Sequence, residues 1–294
     1  MRALLGRVLR LAASLAIAAP TWGCAPARLL NAVITADGYR IERDVAYGEG
    51  PRHRLDIYIP DEVAANASVA VFFYGGRWAY GSKADYRFVG QALASRGIVT
   101  VVADYRLYPD VRFPGFVEDG AKAVAWVKRH IADHAGDPGR IVLIGHSAGA
   151  HIAALLALNP DYLAAEDMKL SDIDGFIGLA GPYDFLPIKD PTVREIFDVD
   201  DLNATQPVSH ARALAPRTLL LTGDDDATVL PRNSVRLHGA ISDHGGDAVL
   251  MVYEGIGHVG IILALASPLR WLAPTLDDIV AFIRRANASG RSAA

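Results

Sequence analysis

One pentapeptide constrains this chain more than any other feature. Gly145-His146-Ser147-Ala148-Gly149 lies between an apolar run, Ile141–Ile144, that reads as a strand, and Ala148–Leu158, which reads as a helix. A G-x-S-x-G turn in that setting reverses the chain sharply, with the serine at its apex. The serine takes a backbone conformation few side chains adopt, and its hydroxyl is exposed at the sheet edge. Flanking glycines let strand and helix pass closely. The helix N-terminus adds the Ala148 amide and a positive dipole end, both suited to a developing oxyanion. An ordinary Gly/Ser turn is the plain alternative, and it is disfavoured by the strand before and the helix after.

Such an elbow needs parallel strands around it, and the sequence supplies them. Arg54–Ile59 alternates apolar and polar residues like a half-buried strand, whereas Val69–Tyr74 is a continuous apolar run fit for a central one. Further strands are predicted at Ile98–Ala103, Phe176–Ala180, Thr218–Thr222 and Val249–Tyr253. Helices are predicted at Tyr86–Ser95, Phe116–His130, Pro231–Ser242 and Leu276–Ala286. Strand–helix alternation implies a mostly parallel sheet with helices on both faces. Residues 182–215, with several prolines and acids, break the rhythm and read as a lid-like insertion.

The elbow in this setting resembles the esterase and lipase branch of the α/β-hydrolase family, especially small carboxylesterases of the feruloyl-esterase-like and kynurenine-formamidase-like kinds. The resemblance runs from about Arg54 to Phe282 and implies an α/β-hydrolase fold. It also implies that an acid and a base follow the serine. The family's G-x-x-D-x-x-V pattern, laid on Gly223–Val229, selects Asp226, with Asp224 and Asp225 as adjacent rivals. A solvated acidic loop is the plainer reading of that trio. His258, in the glycine-rich stretch after the last strand, matches the general base. His130, His134, His238 and His244 fall on polar helix faces or ends, and His146 and His151 line the pocket or pack.

Tyr74-Gly75-Gly76-Arg77-Trp78 resembles the family's H-G-G-x-W segment, which implies an oxyanion hole built from the amides of Gly76, Arg77 and Ala148. Tyr74 departs from the family's histidine. Asp104-Tyr105-Arg106-Leu107 also looks like a family segment, with Asp104 and Arg106 expected as a mutually satisfied pair. Trp78, Tyr80 and His146 are expected beside the substrate, with Tyr183, Phe185 and Phe197 of the insertion as further pocket aromatics.

The chain of 294 residues is long enough for one large domain, expected over 51–286 after a lead-in at 25–50 and before a disordered tail at 287–294. A net charge of -4, without a basic cluster past the first ten residues, argues against a nucleic-acid partner. Arg2, Arg7 and Arg10 precede the apolar run Leu11–Ala19, so residues 1–24 read as an export signal. Gly23-Cys24 after it resembles a bacterial lipobox, which implies lipidation of Cys24 and a periplasmic or membrane-anchored location. Thr21 and Trp22 depart from that pattern. The sequence holds neither H-E-x-x-H nor a cysteine-rich spacing, so neither metal nor cofactor is expected. The resulting expectation is a serine carboxylesterase acting on a small-molecule ester. An amidase, arylformamidase or peptidase on the same scaffold, or a non-catalytic binding protein, are the alternatives.

Overall fold

The computed structural model describes residue 31 and residues 37–64 and 66–289. The expected export signal, Cys24 and the end of the tail lie outside the described residues. Among the described residues, eight strands form one sheet: β1 (Tyr39–Ala46), β2 (Arg54–Pro60), β3 (Ala67–Phe73), β4 (Val99–Ala103), β5 (Gly136–His146), β6 (Ile173–Leu179), β7 (Arg217–Gly223) and β8 (Ala248–Tyr253). Their order is β1-β2-β4-β3-β5-β6-β7-β8. β1 and β2 pair antiparallel, as do β2 and β4, and every later pairing is parallel. This is the α/β-hydrolase architecture. β1 was not expected from the sequence, and it lies within the lead-in.

The helices are α1 (Arg87–Ala94), α2 (Gly115–His130), α3 (Ala148–Leu158), α4 (Pro160–Ala164), α5 (Pro191–Ile196), α6 (Arg232–Asp243), α7 (Gly260–Leu263) and α8 (Thr275–Ser289). From β3 the chain crosses through α1 to β4 on one side, then returns through α2 past β3 to β5. Right-handed crossovers in opposite directions place those helices on opposite faces. Accordingly α1 packs with α8, and α2 packs with α3. α8 runs to Ser289, into the stretch expected to be tail.

The central layer explains how the site is held. All seven residues of β3 and all eleven of α3 are buried. A helix apolar on every side belongs in the interior rather than on a surface. Burying Ile152, Leu155, Leu156 and Leu158 stabilises the fold by about 1.5–3 kcal/mol each. Strand register then aligns the loops that follow. Phe73 pairs with Gly145 across β3 and β5, and Gly223 with Tyr253 across β7 and β8. The loops after β3, β5, β7 and β8 therefore emerge at the same carboxyl-terminal edge of the sheet, with the elbow after β5 beside β3, where the strand order reverses.

Candidate active site

Ser147 connects β5 to α3 with φ 54° and ψ -123°. Its amide donates to the Leu179 carbonyl at 2.9 Å, and its own carbonyl accepts from Ala150 N at 2.9 Å. The strained residue is thus pinned to β6 on one side and to its helix on the other. The flanking glycines are required by volume. A Cβ on Gly145 would stand 2.3 Å from the Gly149 carbonyl oxygen, and one on Gly149 would stand 2.1 Å from that of Phe73. As the first helical residue, Ala148 has an N–H without an intrahelical acceptor.

Asp226, in the turn after β7, is buried. Its Oδ1 accepts from the amides of Thr228 (2.9 Å) and Val229 (2.8 Å), which fixes the carboxylate. Its Oδ2 lies 2.8 Å from His258 Nδ1, and His258 Nε2 lies 2.9 Å from Ser147 Oγ. A carboxylate accepts, so Nδ1 carries the proton and Nε2 presents a lone pair to the hydroxyl. Of the three adjacent acids, Asp226 alone turns to the histidine. Asp224 Oδ1 accepts from Gly255 N at 2.7 Å and braces the loop that carries His258, while Asp225 is exposed.

The loop after β3 holds three successive residues at positive φ: Gly76 (134°), Arg77 (55°) and Trp78 (57°). Gly76 has no room for a side chain, since a Cβ would lie 2.1 Å from the Tyr80 carbonyl oxygen. The loop lies against the elbow, because a Cβ on Gly75 would be 2.9 Å from that of Ser147. Tyr74 anchors it from below. The buried Tyr74 hydroxyl donates to Asp104 Oδ1 at 2.7 Å and accepts from Arg52 Nη2 at 2.6 Å. Arg52 also donates to the carbonyls of Tyr105 (2.7 Å) and Gly81 (2.8 Å). Burial pushes the Tyr74 phenol well above its usual range, so it remains a neutral donor.

The expected Asp104–Arg106 pair is not formed. Asp119 of α2 is fully buried and requires a cation, and Arg106 supplies it through contacts of 2.7–3.0 Å with both carboxylate oxygens. His53 joins the same carboxylate at 3.0 Å. Asp104 turns to Tyr74, to Lys83 N at 2.7 Å and to Arg52 at 3.6 Å.

Two residues expected beside the substrate face inward. Trp78 is 4% exposed and meets the rings of Phe197 at 4.7 Å and His151 at 5.2 Å. His146 is buried, and its Nε2 lies 3.0 Å from the His258 carbonyl oxygen. Tyr80, 58% exposed, offers open surface at the rim. Tyr183 and Phe197 are likewise buried, whereas Phe185 is half-buried.

The insertion is tied down at several points. Asp190 accepts from Val193 N at 3.1 Å, capping α5, and pairs with Arg77 at 2.7 Å. Arg112 pairs with Asp198 at 2.9 Å, and Ile196 accepts from Phe113 N at 2.9 Å. His151, one turn beyond Ser147 on α3, lies 2.8 Å from the Thr205 carbonyl. A lone polar residue in an otherwise apolar helix was the sequence signal for that anchor. The insertion also carries a cavity of about 340 Å³, lined by Ile188, Phe197 and Leu202 among others. Ser147, Asp226 and His258 do not line it. Among the described residues, no three His, Cys, Asp or Glu side chains converge as a metal site requires.

The family model named BD-FAE matches residues 55–241. The chain belongs to the BD-FAE family. BD-FAE is an α/β-hydrolase esterase family, and the match spans the elbow, the loop after β3 and Asp226. Among curated proteins, the chain is similar to isoprenylcysteine alpha-carbonyl methylesterase of Arabidopsis thaliana, 32% identical over 274 residues, covering 85% of this chain and 64% of that protein. It is also similar to esterase LipQ of Mycobacterium tuberculosis, 28% identical over 261 residues, covering 82% and 62% of the two chains. The chain thus spans somewhat less than two thirds of the length of these relatives. Among solved structures, Thermogutta terrifontis esterase 2 phosphoramylated by tabun is similar, with a TM-score of 0.71 and 27% identity. That likeness covers 86% of this chain and 96% of the esterase.

Proposed function

We propose that this BD-FAE family chain is a serine carboxylesterase with Ser147 as nucleophile, His258 as general base and Asp226 as the carboxylate that orients it. The observation that carries the reading is the continuous relay from Asp226 Oδ2 through His258 to Ser147 Oγ, at 2.8 and 2.9 Å, on a strained elbow. In this reading Ser147 Oγ attacks the ester carbonyl as its proton passes to His258 Nε2. The amides of Gly76, Arg77 and Ala148 receive the oxyanion, and the departing alcohol takes the proton back. Water, deprotonated by the same imidazole, then releases the acid and restores the hydroxyl. Because the plant relative is a methylesterase, methyl esters are the first substrates to try.

Ser147→Ala is expected to lower kcat on p-nitrophenyl acetate by on the order of 10⁶ while leaving the fold intact. Retained turnover in that variant sinks the assignment. Parallel assays with a matched ester and anilide separate an esterase from an amidase on the same scaffold. We also propose export, with lipidation at Cys24 holding the protein to a membrane. The basic start and the Gly23-Cys24 pair support this reading. A fatty-acid label absent from the wild type, together with unchanged fractionation of Cys24→Ala, refutes the anchor.

A further inference from the structure

We propose that His146 is a positioning residue for the general base, holding the main chain of His258 so that its imidazole meets Ser147. The inference rests on the esterase reading above and adds a residue to it.

The need for such a residue lies in the loop that carries the base. β8 ends at Tyr253, and the chain then passes through Gly255, at φ 66°, and Gly257 before reaching His258. A glycine-rich stretch is conformationally permissive and does not fix a side chain by itself. The upstream half is braced by Asp224 Oδ1 on Gly255 N, and by the Ile256 carbonyl accepting from Asp225 N at 3.2 Å. Asp226 aligns the imidazole of His258, and Ile261 N donating to the Gly257 carbonyl at 3.3 Å ties the loop to α7, but neither bond reaches the main chain of His258 itself. His146 closes that gap. Its Nε2 lies 3.0 Å from the His258 carbonyl oxygen, and its ring packs against the His258 ring, tilted by 38° with centroids 5.0 Å apart.

Position and chemistry suit the task. His146 is the last residue of β5, directly before the nucleophile, so one backbone segment places both the hydroxyl and the clamp on its base. A carbonyl oxygen can only accept, so His146 carries its proton on Nε2. Its Nδ1 is buried without a hydrogen-bond partner among the described residues. That nitrogen faces Gly75, where a Cβ would come within 3.0 Å of it. The ring is therefore wedged between the oxyanion loop and the base loop. The titratable groups acting on it are His258 and Asp226, and burial with the neighbouring His258 holds it neutral down to about 3. A neutral ring donates to the carbonyl without setting a second positive charge beside the imidazolium that forms during acylation.

Two experiments test this. In wild-type protein carrying ¹⁵N-labelled histidine, His146 should remain a neutral Nε2–H tautomer from about pH 8 to about pH 5, below the usual histidine midpoint. Titration near pH 6.5, or an Nδ1–H tautomer, overturns the proposal. In variants, His146→Leu removes the donor, and His146→Gln returns an N–H near the same place. His146→Leu should lower kcat on p-nitrophenyl acetate by ~10- to 100-fold with KM nearly unchanged, the scale on which misplacing a reacting group by about 1 Å acts. The acidic limb of its kcat/KM profile should be displaced from the wild type, and His146→Gln should recover most of the loss. A folded His146→Leu enzyme with wild-type kcat and pH profile overturns the inference, as does a folded His146→Gln enzyme no better than His146→Leu. Both results presuppose a wild type whose turnover depends on Ser147, and a wild type without that dependence fails the esterase reading itself.

Discussion

Lowering the pH from 7.5 to 5 should destabilise the protein through two buried imidazoles. His146 and His151 are 5% and 0% exposed. Burial, with the nearby His258, pushes His146 down to about 3, and burial pushes His151 down to about 4. In the unfolded chain both titrate near 6.5. Below that pH the unfolded state binds two protons that the native state refuses. The stability they contribute is present above about 6.5 and is lost as pH falls toward the native values. Each unit of that fall costs about 1.4 kcal/mol per imidazole, so reaching pH 5 removes about 2 kcal/mol for each and about 4 kcal/mol together. That is a large share of the 5–15 kcal/mol typical of a folded domain. Urea denaturation of the wild type and of the double variant His146→Gln/His151→Gln, at several pH values across the window, isolates the effect. Titrating groups remote from the two replaced rings are common to both proteins and cancel in the comparison. The wild type should lose about 4 kcal/mol more than the variant between the two ends. Parallel pH dependences refute the reasoning.

Two substitutions probe neighbouring features. Asp226→Asn should lower kcat by ~10⁴ through loss of the carboxylate that sets the tautomer, while Asp225→Asn, exposed and away from the base, stays within a few-fold; equal effects in steady-state assays would refute the assignment. Tyr74→Phe deletes the hydroxyl shared by Arg52 and Asp104 and should cost about 1–3 kcal/mol in urea denaturation. Wild-type stability would mean that the hydroxyl does not anchor the loop.

The elbow was readable in the sequence because its constraint is local: the strand, the turn and the helix are contiguous, and every requirement falls within five residues. The strand–helix alternation was legible for the same reason. What stayed hidden depended on distant partners or on broken patterns. The trio Asp224-Asp225-Asp226 could be narrowed only by family resemblance, since which carboxylate turns toward His258 depends on packing between the β7 and β8 loops. Arg106 went to Asp119 rather than Asp104, because a fully buried carboxylate thirteen residues away outcompeted the near neighbour. β1 was missed since a bulge between Glu42 and Val45, with Asp44 at φ 56°, interrupts the two-residue period. Trp78 and His146 looked like pocket residues by their position beside the key motifs, but their burial puts both to structural use.

The close contact at the elbow bears on how this protein can be engineered. Gly149 lies inside α3, and replacing a helical glycine by alanine ordinarily stabilises by about 1 kcal/mol. Here the added methyl would meet the Phe73 carbonyl oxygen at 2.1 Å. Neither Gly145 nor Gly149 is among the glycines at positive φ, and the left-handed residue of the turn is Ser147 itself. The two glycines are therefore fixed by space rather than by torsion. Propensity-guided thermostabilisation, which scores backbone angles and helix preference, would choose Gly149→Ala and so drive the helix after Ser147 off the strand that positions it.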